Sequence, residues 1–282
     1  MKIIECPRDA MQGITKFIPT EKKIRYINNL IKVGFDTIDF GSLVSPKVIP
    51  QMKDTIEVLN NLDMGGSNTK LLAIIANTRG AMEALDHEKI SYLGFPLSIS
   101  ETFQVRNTNK SIIEALNTIE EIQNLCLKKS RTLVTYISMG FGNPYGDPYD
   151  VSIVEQFVGI LDKIGINVIS LADTIGVSEP ESITYLFSKL KPAYPHIEFG
   201  AHLHSHPDKS KEKIEAAFNA GCDRLDGAIK GFGGCPMAED ELVGNIATES
   251  IINYFIENNI RLPLNYELFK ESVKEAAYIF PS

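Results

Sequence analysis

Residues 153–171 read IVEQFVGILDKIGINVISL. Ile153, Val154, Phe157, Ile160, Leu161 and Ile164 share one face of a helix, at spacings of three and four. Gly165 ends that pattern, and Val168-Ile169-Ser170-Leu171 follows as an apolar strand. Glycine just past a helix end takes the left-handed conformation that closes it. So short a link from helix to strand belongs to a parallel sheet. The same unit recurs on both sides. Ile24, Ile27, Leu30 and Ile31 precede Gly34 and the strand Thr37–Phe40, and Ile214, Ala217 and Phe218 precede Gly221 and Arg224–Asp226.

Between these units the chain offers further apolar strands at Ile3–Cys6, Lys70–Ile75, Ile90–Leu93, Leu133–Ile137 and Ile197–Gly200. That makes eight, with helical patterns between most of them. Ser178-Glu179-Pro180-Glu181 reads as a capping box opening one of those helices. Alternating β and α with eight strands predicts a closed (β/α)8 TIM barrel with its active site at the C-terminal ends of the strands. An open doubly wound sheet has the same strand count, but no glycine-rich dinucleotide fingerprint follows the first strand. The length, 282 residues, suits one barrel, and with no linker in sight residues 1–282 are expected to form one catalytic domain.

The net charge of −8 argues against a nucleic-acid partner. No apolar run is long enough to span a bilayer, so no membrane partner is expected. The chain enters a motif directly after Met1-Lys2-Ile3-Ile4, which leaves no room for a targeting peptide. Cys6, Cys126, Cys222 and Cys235 form no CxxC pair, and a reducing cytoplasm is the expected compartment.

The reactive residues fall where such a barrel does chemistry. Arg8 and Asp9 follow strand one, Asp39 lies near the end of strand two, and Asp173 follows strand six. His202 and His204 follow strand seven, and Cys235 follows strand eight. In an extended segment residues i and i+2 point the same way, so both imidazoles of His202-Leu203-His204 can face one metal. A polar strand end with solvated histidines explains that pair equally well. His206, before Pro207, reads as a third ligand or as the start of the next turn. A carboxylate with two imidazoles makes a mixed N/O site suited to Mg²⁺ or Mn²⁺, with Zn²⁺ also compatible. Gly231-Phe232-Gly233-Gly234-Cys235-Pro236 has the backbone freedom to approach a ligand closely and carries a thiol. The stretch Gly140–Pro148 shapes a ligand mouth or is simply a long connection.

Together these residues resemble the hydroxymethylglutaryl-CoA lyase family, within the metal-dependent barrel lyases and Claisen-condensing synthases. The markers are Glu5-Cys6-Pro7-Arg8-Asp9-Ala10-Met11-Gln12, Val44-Ser45-Pro46-Lys47, Asp173-Thr174-Ile175-Gly176-Val177, His202-Leu203-His204, Gly231–Pro236 and Gly244-Asn245-Ile246-Ala247-Thr248-Glu249. The resemblance implies a divalent metal on Asp9, His202, His204 and Asn245. It implies Arg8 as substrate-binding and catalytic on a thioester carbonyl, and Cys235 as the catalytic thiol. Asp39 stands where the family usually has Glu, and Asp173 matches a catalytic or structural Asp. The base is left among His202, Asp39 and Asp173. The implied substrate is an acyl-CoA, 3-hydroxy-3-methylglutaryl-CoA, cleaved to acetyl-CoA and acetoacetate, and a homodimer is compatible with it. The chain departs from the family pattern at Ala10, usually Gly, in having one residue fewer between Glu5 and Pro7, and in one extra residue between Cys235 and Asn245. A synthase joining acetyl-CoA to a 2-oxo acid would share Arg8-Asp9 and His202-x-His204 but would lack the glycine-cysteine loop. A non-catalytic acyl-CoA- or metal-binding barrel is the reading from another class.

Overall fold

A computed structural model describes residues 1–234 and 243–280. Cys235, expected to be the catalytic thiol, lies outside the described residues. The chain runs β1 (Lys2–Glu5), α1 (Pro7–Gln12), α2 (Thr20–Val33), β2 (Thr37–Ser42), α3 (Thr55–Asn60), β3 (Lys70–Ile74) and α4 (Thr78–Leu85). It continues β4 (Ile90–Ser98), α5 (Glu101–Thr108), α6 (Ile112–Lys128), β5 (Thr132–Ser138), α7 (Val151–Ile164), β6 (Val168–Asp173) and α8 (Pro180–Ala193). It ends β7 (Glu198–Leu203), α9 (Ser210–Asn219), β8 (Arg224–Gly227), α10 (Thr248–Glu257) and α11 (Tyr266–Ile279). The eight strands form a closed barrel in sequence order. β1 and β8 seal it in parallel, pairing Lys2 with Arg224 and Ile4 with Asp226.

The expected helix stops are present. Gly34 and Gly165 both cap their helices at φ 88°, and Gly221 sits at φ 85° just beyond α9. Side chains on alternate strand residues go two ways. Those facing outward, such as Leu71, Leu93, Phe95 and Ile137, join the helices' apolar faces in one large core. Those facing inward form a smaller cluster of Leu72, Ile74, Tyr92, Val134, Tyr136 and Val168. Gly94 makes room inside, because a Cβ there would lie 3.0 Å from Leu72 Cδ2 and 3.2 Å from Tyr136 Cε2. β4 runs on to Ser98, past the expected end at Leu93, because its ladder with β5 continues unbroken from Gly94–Val134 to Ser98–Ser138.

The N-terminal floor of the barrel is ionic. Lys2 Nζ meets Glu198 Oε2 at 2.5 Å, and Glu198 Oε1 lies 3.3 Å from Arg224 Nη1. The Arg224 side chain is wholly buried, and Gly200 makes the space for it: a Cβ there would stand 2.7 Å from Arg224 Cγ.

Several boundaries differ from expectation. His202 lies within β7 and Asp173 is the last residue of β6, because the ladder between these two strands continues upward, pairing Ala172 with His202 and Asp173 with Leu203. Cys6 leaves β1 and becomes the residue before α1, since Pro7 starts that helix. Glu179, not Ser178, occupies the cap position of α8, where its N–H donates to the Ser182 hydroxyl at 3.1 Å. Pro180 then sits at the first helical position and needs no donor. Ile160, expected on the buried face of α7, is 39% exposed.

Candidate active site

β1 ends at Glu5, and Pro7 turns the chain straight into the short helix α1 across the mouth of the barrel. Arg8 and Asp9 occupy its first turn, and Gln12 stands one turn further on the same face. The three side chains interlock. Gln12 Nε2 donates to Asp9 Oδ1 at 2.7 Å, while Arg8 Nη1 donates to Asp9 Oδ1 at 3.0 Å and to Gln12 Oε1 at 2.9 Å. Behind Arg8 stands Asp39, on β2 at an irregularity in the ladder between Asp39 and Gly41. Arg8 Nε reaches both of its oxygens, at 3.2 and 3.0 Å, and Nη2 donates to Oδ2 at 2.5 Å. Four of the five guanidinium N–H groups are thus engaged among the described residues. Burial pushes the Asp39 carboxyl up to about 6, although Arg8 pulls the other way.

Asp9 is the hub. Asn245, on the return from the glycine loop, donates Nδ2 to Asp9 Oδ2 at 2.5 Å and to the Phe232 carbonyl at 2.9 Å. His202 Nε2 lies 4.0 Å from the same Asp9 oxygen. Burial works against the Asp9 charge, but Arg8, His202, His204 and Asn245 together hold its carboxyl below the usual range.

The two histidines differ. His202 is fixed from below, its Nδ1 3.1 Å from Asp226 Oδ2 on β8. A carboxylate only accepts, so Nδ1 carries a proton, and in the neutral ring Nε2 holds the lone pair on the Asp9 side. Burial lowers the His202 pKa, but the Asp226 hydrogen bond and charge outweigh it and leave the group above its ordinary value. His204 is 3% exposed, yet among the described residues neither ring nitrogen makes a hydrogen bond of full geometry, the Thr174 backbone acting on the ring only weakly. Burial and the neighbouring His202 push it down, which keeps the ring neutral.

Buried imidazole nitrogens without partners are costly. They fit a ligand that accepts no hydrogen bond and needs a lone pair. One ligand atom each from Asp9, His202 and His204 lies within 4.8 Å of the others. With Asn245 beside them the set is mixed nitrogen and oxygen. The cluster is a divalent-metal-binding site.

Asp173 sits apart from it. Its oxygens accept the Val177 and Ser178 backbone N–H groups, each at 2.9 Å, and Lys213 Nζ lies 3.2 Å from Oδ2. Lys213, buried on α9, also donates to the carbonyls of Gly176 at 3.2 Å and His204 at 3.0 Å. Asp173 and Lys213 therefore brace the β6 loop and the backbone of His204. Glu5 makes a similar brace. It accepts from Ile229 N at 2.9 Å and from Thr248 Oγ1 at 2.6 Å, tying together the two roots of the glycine loop.

The cavity above the cluster has a polar floor of Arg8, Asp9, Gln12, His202 and His204 and an apolar rim that includes Val44, Val48, Ile49 and Phe103. Neither Asp39 nor Asp173 lines it. His206 is exposed and stays outside the ligand set. The stretch Gly140–Pro148 does not line the cavity either, but Tyr145 stacks on Phe103 with ring centroids 6.3 Å apart. The structure thus joins Arg8, Asp9, Asp39, His202, His204 and Asn245 in one place. Sequence reasoning assigned no role to Gln12, Asp226 or Lys213. Gln12 had a signal in its helical spacing from Arg8 and Asp9. Asp226 had one in its place near the end of β8.

A family model described as HMGL-like matches residues 2–271. The hydroxymethylglutaryl-CoA lyase YngG of Bacillus subtilis is 32% identical over 268 residues, 95% of this chain and 89% of that one. The human cytoplasmic 3-hydroxy-3-methylglutaryl-CoA lyase is 30% identical over 273 residues, 96% of this chain and 72% of that one. Among solved structures, an HMG-CoA lyase from Acinetobacter baumannii in complex with coenzyme A and 3-methylmalate superposes with a TM-score of 0.92. It shares 28% identity and covers 99% of this chain and 91% of its own. The Bacillus subtilis HMG-CoA lyase also gives 0.92, at 31% identity, covering 100% and 95%.

Proposed function

Since the chain belongs to the HMGL-like family and is a metal-dependent carbon–carbon lyase, we propose that it cleaves 3-hydroxy-3-methylglutaryl-CoA to acetyl-CoA and acetoacetate. The observation that carries this reading is the convergence of Asp9, His202 and His204 beside a buried, pre-positioned Arg8 at the floor of one cavity. Asp9, His202, His204 and Asn245 would hold the cation, with Mg²⁺ or Mn²⁺ matching the ligand set. When bound, it supplies Lewis acidity toward the oxygens of the substrate.

The tertiary hydroxyl of the substrate loses its proton to a base at the cavity wall. The bond to the thioester methylene then breaks, its electron pair leaving as the enolate of acetyl-CoA. The carbinol carbon becomes the ketone of acetoacetate. Arg8, held in place by Asp39 and Asp9, donates to the thioester oxygen where charge develops, the point at which a fixed donor is most valuable. Asp39 acts through Arg8, and Asp173 through the backbone of His204. Cys235 returns a proton to the enolate carbon. The apolar rim suits the acyl-CoA arm, and the −8 net charge disfavours a nucleic-acid partner.

The test is a coupled assay for acetoacetate from this thioester, with and without Mg²⁺ or Mn²⁺. The expected result is metal-dependent release of acetoacetate, lost on chelation and reduced by orders of magnitude in Cys235→Ala and Arg8→Met. Full activity after chelation and dialysis would remove the metal role. Turnover of another 3-hydroxyacyl-CoA in place of this one would move the substrate.

A further inference from the structure

His202 has two ring nitrogens, and the Asp9–His202–His204 cluster uses only one. Its Nε2 turns to Asp9 and His204. Its Nδ1 turns to Asp226, and there a second donor set assembles: one ligand atom each from Cys6, His202 and Asp226 lies within 4.8 Å of the others. We propose that Cys6, His202 and Asp226 form a second cation site, of the chemistry that takes Zn²⁺ or Cd²⁺, whose occupation empties the Asp9–His202–His204 site. That emptying rests on the metal role proposed for the upper cluster.

The nitrogen–oxygen edge already has about the spacing a thiophilic cation needs, and the sulfur lies within 4.8 Å of both donors. Zinc binds imidazole nitrogen at about 2.0–2.1 Å, carboxylate oxygen at about 2.0–2.2 Å and thiolate sulfur at about 2.3 Å, which in a tetrahedron puts donors roughly 3.3–3.6 Å apart. His202 Nδ1 and Asp226 Oδ2 already stand 3.1 Å apart. Asp226 is 2% exposed, and among the described residues its second oxygen, Oδ1, has no hydrogen-bond partner. Cys6 is 1% exposed, its sulfur contacting only the Ile4 carbonyl, at 3.9 Å, among the hydrogen bonds of the described residues. The thiol therefore loses little by turning to a cation. Burial, and then the carboxylates of Asp226, Asp39 and Asp9, disfavour a bare thiolate there, and the same negative field favours a positive ion beside it. A thiolate in the set selects against Mg²⁺, which prefers oxygen.

Antagonism follows from the imidazole itself. A neutral ring has one lone-pair nitrogen and one N–H. With the proton on Nδ1, facing Asp226, the lone pair on Nε2 serves the upper cluster. A cation on Nδ1 displaces that proton, and the neutral ring then carries its hydrogen on Nε2, where it no longer serves as a ligand. The Cys6 thiol proton passes to solvent as the metal–sulfur bond forms.

The experiment uses the full chain carrying Cys235→Ala, so that the thiol of the glycine loop does not report. The protein is loaded with Mn²⁺ and titrated with Cd²⁺. The thiolate-to-cadmium ultraviolet charge-transfer band and the free Mn²⁺ resonance are both followed. One Cd²⁺ per chain should raise the band and release the Mn²⁺. In Cys6→Ser on the same background the band should vanish, and Mn²⁺ release should need at least roughly ten- to a hundredfold more Cd²⁺, the loss that removing even an outer-shell partner brings. Cys6→Ala is the second variant if serine is poorly accommodated. A band that survives both substitutions, or an unchanged Cd²⁺ requirement, overturns the proposal. Neither readout needs turnover, so the band reports on the Cys6 site even where the lyase assay fails.

Discussion

Lys213→Met tests how far the active site depends on a buried ion pair that never touches the cavity. The substitution removes an ammonium 3.2 Å from Asp173 Oδ2, where the two side chains are 2% and 0% exposed. Breaking a buried pair from one side typically costs about 3–5 kcal/mol. Asp173 keeps its hydrogen bonds from Val177 and Ser178, so the lower end, about 3 kcal/mol, is expected. At about 2.1 cal/mol/K per residue, 282 residues give an unfolding entropy of roughly 0.6 kcal/mol/K, so the melting temperature should fall by about 5 °C. Urea denaturation gives the free energy directly. Asp173→Asn alone should cost a similar amount, because it leaves Lys213 charged and buried. The double variant should recover about 1–3 kcal/mol of the summed losses. Lys213 also holds the His204 carbonyl at 3.0 Å, so Mn²⁺ affinity should fall along with stability. Strictly additive losses, or a single variant within about 0.5 kcal/mol of the parent, would refute the reasoning.

Asp226→Asn removes the charge that fixes His202 and should weaken Mn²⁺ binding by roughly ten- to a hundredfold, measured by the free-ion resonance. Gly233→Ala sets a Cβ in a backbone at φ +105°, pressing on Asn245 Nδ2 and 3.0 Å from Asp9 Oδ2. Titration should show its Mn²⁺ affinity falling by at least the same factor as for Asp226→Asn. Glu5 gives a pH signature. Burial pushes its carboxyl up to about 8, against the hydrogen bonds from Thr248 and Ile229. The folded chain holds that proton more tightly than the unfolded one, so the stability it contributes is complete below the unfolded pKa and is lost as pH rises through about 8. Relative to Glu5→Gln, the parent should lose roughly 3 kcal/mol as pH rises from about 5.5 to about 7.5. Parallel urea stabilities for the two proteins across that range would contradict the assignment.

The fold was legible because its signals are local. Helix, glycine and strand recur within about twenty residues of one another, and each glycine does what its backbone freedom suggests. Arg8, Asp9, His202 and His204 were legible because strand ends in a barrel converge, so positions distant in sequence become neighbours by topology. What escaped was pairing. Nothing along the chain says that Lys213, on the outer ring of helices, reaches Asp173, or that Asp226 stands under His202 rather than turning outward. Those depend on register and on side-chain length across separate elements. Asp39 illustrates the limit. Its type and position pointed to the site, but not to the guanidinium it meets there, which comes from another element.

The tethering of Arg8 has a consequence for what can replace it. With Asp39, Asp9 and Gln12 satisfied, the side chain retains, among the described residues, a single hydrogen on Nη2 to offer an incoming oxygen. An ammonium in the same place owns three hydrogens in all, and the three resident acceptors would consume them. Lysine would preserve the positive charge while leaving nothing to hand to the guest, so the planar fork, more than the cation, is what this position demands.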